Sequence, residues 1–293
     1  MNNYHLVKVT NYEYAKGLQD GKVFMKTMSE FASFERRGSE MSNAFRGDTL
    51  EGVTAIFNKH NPHHFFEEAF GADVWEQVEF AGFLDTSKWQ QKIYSLYCLE
   101  FDEQNGKYIK PDEQLKDFGD TAVIITDAVE FLRRVAYKLY DIYKDALWIA
   151  FKKVSYDIGV RGYGFYDEFS KSVSYSWQNE YRISVDLSQG KMSEEEWEQS
   201  TDFARLTSGG IATYPDPGNL LMDIGDIRNI SILVGIEDFI DLNFLNMTER
   251  SKAVPQPQYI KPLETPRELR MTMYRLFVKP KDNTDVKSLI QEA

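Results

Sequence analysis

The clearest periodicity in the chain lies in TDAVEFLRRVAYKLYDIY. There Val129, Leu132, Val135, Ala136 and Leu139 recur at the spacing of a helix with one apolar face. Asp127 stands ahead of that face and Glu130 follows it by three residues, the pattern of a capped helix start. The spacing predicts a helix through about Tyr143. Around it the chain reads mostly as strands: YHLVKV, KVFMKTM, KIYSLYCLEF, AVIIT, ALWIAFKKVSYDI and ISILV. A second helix is predicted in NYEYAKGLQDG, opened by Asn11 and closed by Gly21. Strands outnumber long helices and do not alternate regularly with them. This predicts an α+β fold with a central, mostly antiparallel or mixed sheet and flanking helices. Residues 1–250 are read as one such domain. The stretch AVPQPQYIKPLETP, with four of the nine prolines, opens a C-terminal extension over 251–293, read as a linker and an arm available for homo-oligomerisation.

Composition narrows the classes of function. At 42% apolar residues the chain can build a substantial core, which excludes a disordered protein. Its 34 basic residues against 46 acidic ones leave a net charge of −12. Nonspecific nucleic-acid binders draw their affinity from neutralised phosphates, so none is expected here. The acidity favours solubility, or docking on a basic partner protein. Cys98 is the single cysteine and sits in the apolar run YSLYCLEF. A buried thiol and no intrachain disulfide follow, in keeping with a cytoplasmic location. No run approaches the roughly 20 apolar residues that span a bilayer, and the N-terminus lacks the plan of a signal peptide.

Two charged clusters carry the candidate chemistry. In YSWQNEYRISV, read as a strand, Gln178, Glu180 and Arg182 share one face, while Tyr181, Ile183 and Val185 take the other. In FRGDTLEG, Arg46, Asp48 and Glu51 surround a tight turn. A buried charge requires a partner, so the two clusters are expected to converge into one polar centre beside Trp177. That centre is either structural or a site. Phosphate-loop and serine-elbow motifs are missing, and one cysteine is too few for a zinc ribbon. The loop HNPHH, with His60, His63 and His64, is read as surface, and no metal is expected.

The segments LQDGKVFMKTMSEF, FRGDTLEG (Asp48, Glu51), WQNEYRI (Trp177, Glu180, Arg182) and ISILVG occur in the order found in a bacterial family, domain of unknown function 2971, which the chain resembles. The resemblance points to the location of a polar centre and associates the chain with phage and bacterial defence. The Gln178-x-Glu180 pair also resembles the Q-x-E strand of mono-ADP-ribosyltransferases. That similarity implies Glu180 as the catalytic carboxylate, Gln178 as the residue orienting the acceptor, and NAD as substrate.

The leading expectation is a noncatalytic protein that binds another protein, such as a phage-encoded inhibitor of a host defence complex, with no cofactor. The alternative is ADP-ribosyl transfer through Glu180. A third reading places hydrolytic or nucleotide-handling chemistry at the centre formed by Arg46, Asp48, Glu51, Glu180 and Arg182.

Overall fold

A computed structural model describes residues 3–28, 30–31, 53–58, 80–84, 91–142, 148–158, 164–186, 218–246 and 276–277. The strands are β1 (Asn3–Thr10), β2 (Lys22–Thr27), β3 (Val53–Asn58), β4 (Phe80–Leu84), β5 (Lys92–Asp102), β6 (Lys107–Tyr108), β7 (Thr121–Ile125) and β8 (Trp148–Lys153). They continue with β9 (Ser155–Ile158), β10 (Gly164–Phe165), β11 (Ser170–Ser172), β12 (Glu180–Asp186), β13 (Leu220–Asp223), β14 (Ser231–Gly235) and β15 (Leu276–Phe277). Among the described residues the α-helices are α1 (Tyr12–Gln19), α2 (Ala128–Ile142) and α3 (Ile236–Ile240), and short 3-10 turns occur between strands.

The fold is α+β. A ten-stranded sheet runs in the order β14-β7-β1-β5-β12-β8-β15, with β2, β13 and β6 joining off that path. All its pairings are antiparallel. Two small sheets, β10-β3-β4 and the parallel pair β11-β9, stand apart from it.

Alternation along the strands divides the apolar residues between two faces. On one face Leu6, Leu96, Cys98, Tyr181, Ile183 and Val185 meet the apolar stripe of α2. On the other Val7, Tyr97, Leu99, Ile124 and Val234 meet α3 and the turn that carries Leu115. Strand β7 is covered on both sides, so every residue of it is buried. Cys98 is fully buried, and burial pushes its thiol far above the ordinary value. Among the described residues no helix is long and apolar enough to cross a membrane.

Helix α2 begins as the sequence predicts: the Asp127 carboxylate accepts the Glu130 backbone N–H at 2.9 Å. The Glu130 side chain does not close the box. It pairs with Arg133 and Arg134 instead. The buried stripe is Phe131, Leu132, Val135, Ala136 and Leu139, while Val129 is exposed, because the first turn of the helix overhangs the edge of the core. The single strand expected over ALWIAFKKVSYDI is two, β8 and β9, interrupted at Val154. After Gly235 the chain forms the five-residue α3. It stops where Leu242 takes a left-handed backbone, and a short 3-10 turn follows. The C-terminal extension contributes β15, paired with β8.

Two glycines of α1 and its exit give a paired test. Gly21 has φ +92°, and a Cβ there would lie 2.4 Å from the Gly225 carbonyl oxygen. Gly17, inside α1, has open space around an added Cβ. Gly21→Ala is expected to cost about 1–3 kcal/mol or more from strain and clash. Gly17→Ala is expected to stabilise by about 0.5–1 kcal/mol from helix propensity. Denaturant midpoints of the two variants check both signs.

Candidate functional site

Strand β5 has two different neighbours along one edge. Its C-terminal half pairs with β1, from Asn3↔Phe101 to Val7↔Tyr97. Its N-terminal end pairs with β2, at Lys26↔Ile93 and Thr27↔Lys92. Residues Tyr94, Ser95 and Leu96 fall between the two, where β1 and β2 diverge and α1 connects them. An exposed backbone carbonyl inside a protein needs a donor. Lys8 provides one: its Nζ donates to the Ser95 carbonyl at 2.8 Å and lies 4.6 Å from the centre of the Tyr94 ring.

The side chain of Ser95 works in the other direction. Its Oγ donates to Glu180 Oε1 at 2.5 Å, across the β5-β12 pair. Glu180 is 4% exposed and opens β12 on the face away from the α2 core. Arg182, two residues on and 2% exposed, donates through Nε to the same oxygen at 2.8 Å and through Nη2 to Oε2 at 3.3 Å. Lys171 of β11 donates to Glu180 Oε2 at 3.2 Å and to Gln178 Oε1 at 2.6 Å. The third guanidinium nitrogen of Arg182, Nη1, donates to the Glu168 carbonyl. The Glu180 backbone N–H donates to the Tyr156 hydroxyl at 2.7 Å.

Burial alone would raise the Glu180 carboxyl. The charges of Arg182 and Lys171, with hydrogen bonds from Arg182 and Ser95, outweigh it and hold the group well below the usual carboxylate range. Glu180 is therefore ionised near neutral pH and closed in by its partners. Two buried cations, Lys171 and Arg182, pair with this one carboxylate.

Beside the cluster, over the split between β1 and β2, lies a cavity of about 860 Å³. Its floor includes Ser95, Lys171, Gln178, Glu180 and Arg182. Lys22, Phe24 and Lys26 alternate along β2 and line one wall, while Val23 and Met25 point into the core. Leu221 of β13 stands opposite Phe24, and Tyr14 of α1 completes the rim. These three rim residues are 63%, 46% and 71% exposed, respectively.

The strand expected over residues 175–185 is corrected at its start. Val173–Gln178 form a 3-10 turn, Asn179 takes a left-handed backbone at φ 37°, and β12 begins at Glu180. Asn tolerates that conformation, and here its Nδ2 also donates to the Cys98 carbonyl at 2.7 Å. Gln178 thus shares no strand face with Glu180 and Arg182. Lys171 brings it to them instead. Trp177 packs on Phe118 with ring centroids 5.7 Å apart, on the apolar side of the site. Arg46, Asp48 and Glu51 lie outside the described residues, as do His60, His63 and His64.

Sequence reasoning missed Lys8, Ser95 and Lys171. Two of them leave a trace in the pattern. Lys8 follows Tyr4 and Leu6 in the phase of the core face, and Ser95 interrupts the phase of Ile93, Tyr97 and Leu99. Lys171 leaves none, because it lies in the serine-rich stretch SKSVSYS, where no apolar period gives it a phase. Among the described residues no group of three or more His, Cys, Asp or Glu side chains is placed to hold a metal. No family model, curated protein or solved structure matches the chain.

Removing the Glu180 carboxylate takes a buried ion-pair partner from both Arg182 and Lys171, so Glu180→Ala is expected to cost about 3–5 kcal/mol near neutral pH. A carboxyl depressed in the folded state contributes stability above its unfolded pKa of about 4.3, and loses it as the pH falls toward the folded value. Wild-type stability should therefore fall on acidification below about pH 5, and Glu180→Gln should show a shallower fall. Denaturant midpoints across that range test both statements, and parallel curves for the two proteins would count against the cluster.

Proposed function

We propose that the protein is a noncatalytic binding protein, in which the Glu180 cluster is the fixed floor of the cavity between β1 and β2. The observation that carries this reading is the commitment of both Glu180 oxygens to Ser95, Lys171 and Arg182. A general acid or base works best with a pKa near the working pH, and this carboxyl is held far below it. A carboxylate that stabilises a developing sugar cation must also bring negative charge to bear on it. Here two buried cations already balance that charge. Gln178, the acceptor-orienting residue in the ADP-ribosyltransferase reading, has its carbonyl oxygen turned to Lys171.

What supports a protein partner is different in kind. The chain's acidity favours a basic partner protein, and the target proposed is a host defence complex, with the described chain as inhibitor. The exposed rim of Tyr14, Phe24 and Leu221 supplies apolar contact area of the sort such docking uses.

Incubation with NAD, followed by chromatography for released nicotinamide, separates binding from turnover. No release is expected from the wild type. Release that disappears in a folded Glu180→Gln variant would replace the noncatalytic reading with the transferase one.

A further inference from the structure

We infer that the outer face of β2 and β13, at the mouth of the cavity, binds a second copy of this chain, with β13 of each copy lying over β2 of the other. The inference stands apart from the binding reading above. It adds that a second copy covers the rim, so the monomer is the form that docks on a target.

Apolar exposure marks the face. Strand β2 turns Val23 and Met25 into the core and leaves Lys22 and Phe24 exposed. Strand β13 likewise buries Leu220 and Met222 and exposes Leu221 and Asp223. The register sets Leu221 beside Phe24 and Asp223 beside Lys22. The face therefore has one apolar rung and, next to it, one rung of opposite charges. Phe24 is 46% exposed and Leu221 63%, and Tyr14 of α1 stands exposed at the same cavity mouth. Exposed apolar groups gathered in this way and bordered by charge mark an interaction surface.

Charge complementarity identifies the occupant. Opposite charges on neighbouring strands can attract across the rung, but the Asp223 carboxylate turns to the Gly225 backbone N–H, which it accepts at 2.8 Å. Among the described residues Lys22 has no ion-pair partner. The rung is neutral as a whole, so it selects neither a basic nor an acidic surface. It fits a surface with the same two charges in the reverse order, and a second copy presents one. A two-fold axis along the strands, midway between β2 and β13, sets Asp223 of one copy over Lys22 of the other. The same axis sets Leu221 over Phe24, and each contact occurs twice, as an isologous dimer requires. Strand pairs stacked about 10 Å apart in near alignment are an ordinary sheet packing. The net charge of −12 on each copy opposes the approach, though charges more than about 8 Å apart are largely screened at physiological salt. The face is also smaller than the roughly 20–30 residues a side of a standard interface, so the dimer is weak and depends on concentration.

Sedimentation velocity of the full chain over a roughly hundredfold range of concentration tests this. The wild type is expected to pass from monomer to dimer as the concentration rises. Phe24→Asp and Leu221→Lys each set a charge against an apolar side chain of the second copy, and each should weaken association at least about tenfold. Mixed in equal amounts, the two variants should associate again, because the new carboxylate of one then faces the new ammonium of the other. No effect confined to a single chain gives that rescue. Val129→Asp, at an exposed apolar residue of the helix that covers the opposite face of the sheet, should leave association unchanged. Circular dichroism verifies that each variant is folded. Concentration-dependent association that is lost in both variants and restored by mixing supports the inference. A wild type that stays monomeric throughout overturns it. So does association indifferent to Phe24→Asp and Leu221→Lys, as contact through the C-terminal extension would be, and so does a mixture that fails to re-associate. None of these outcomes bears on the NAD assay, which judges the noncatalytic reading alone.

Discussion

A carboxylate buried to 4% exposure has to be neutralised where it stands, and much of the local architecture around Glu180 follows from that requirement. Arg182 comes from the same strand, Ser95 from the neighbouring one, and Lys171 from a separate small sheet. The cluster therefore ties three pieces of chain together: the edge-to-edge pair β5-β12, the short strand β11, and the turn that carries Gln178. The apolar alternation of β12 and the charge cluster specify the same register. A one-residue slip of β12 would turn Glu180 and Arg182 into the α2 core and Tyr181 out of it.

The second constraint is the divergence of β1 and β2 along one edge of β5. A continuous neighbour would have satisfied the Ser95 carbonyl with a backbone N–H and left no opening. Lys8 takes that role instead, and a lysine side chain brings a positive charge where a strand would have brought a neutral amide. Ser95 joins the two constraints: its carbonyl takes the Lys8 ammonium and its hydroxyl gives a hydrogen bond to Glu180. The opening in the sheet and the charge of its lining thus have one origin.

Helix α2, the strands β1, β2, β5, β7 and β12 and the burial of Cys98 were legible in the sequence, because each is a local pattern of apolar spacing, capping or turn chemistry. Tyr181, Ile183 and Val185 face the core as their alternation requires. The start of β12 was misplaced by five residues because Tyr and Trp suit strands, and nothing local shows that Asn179 turns left-handed to reach Cys98. Val129 was assigned to the apolar stripe of α2 by spacing alone. Its exposure depends on where the core ends, which spacing does not contain.

The sequence by itself determined the α+β class, the acidic surface charge, and that Glu180 and Arg182 point the same way. Each of these follows from the identity and spacing of neighbouring residues. Only the tertiary structure decided which groups answer those charges. Lys171, Ser95 and Lys8 lie 9, 85 and 172 positions from Glu180 along the chain, and the contacts of the first two with Glu180, and of Lys8 with Ser95, exist because strands distant in sequence are paired in space. A cavity is the same kind of property. It belongs to the path of β1 and β2 away from β5, and the hydropathy of no single segment records it.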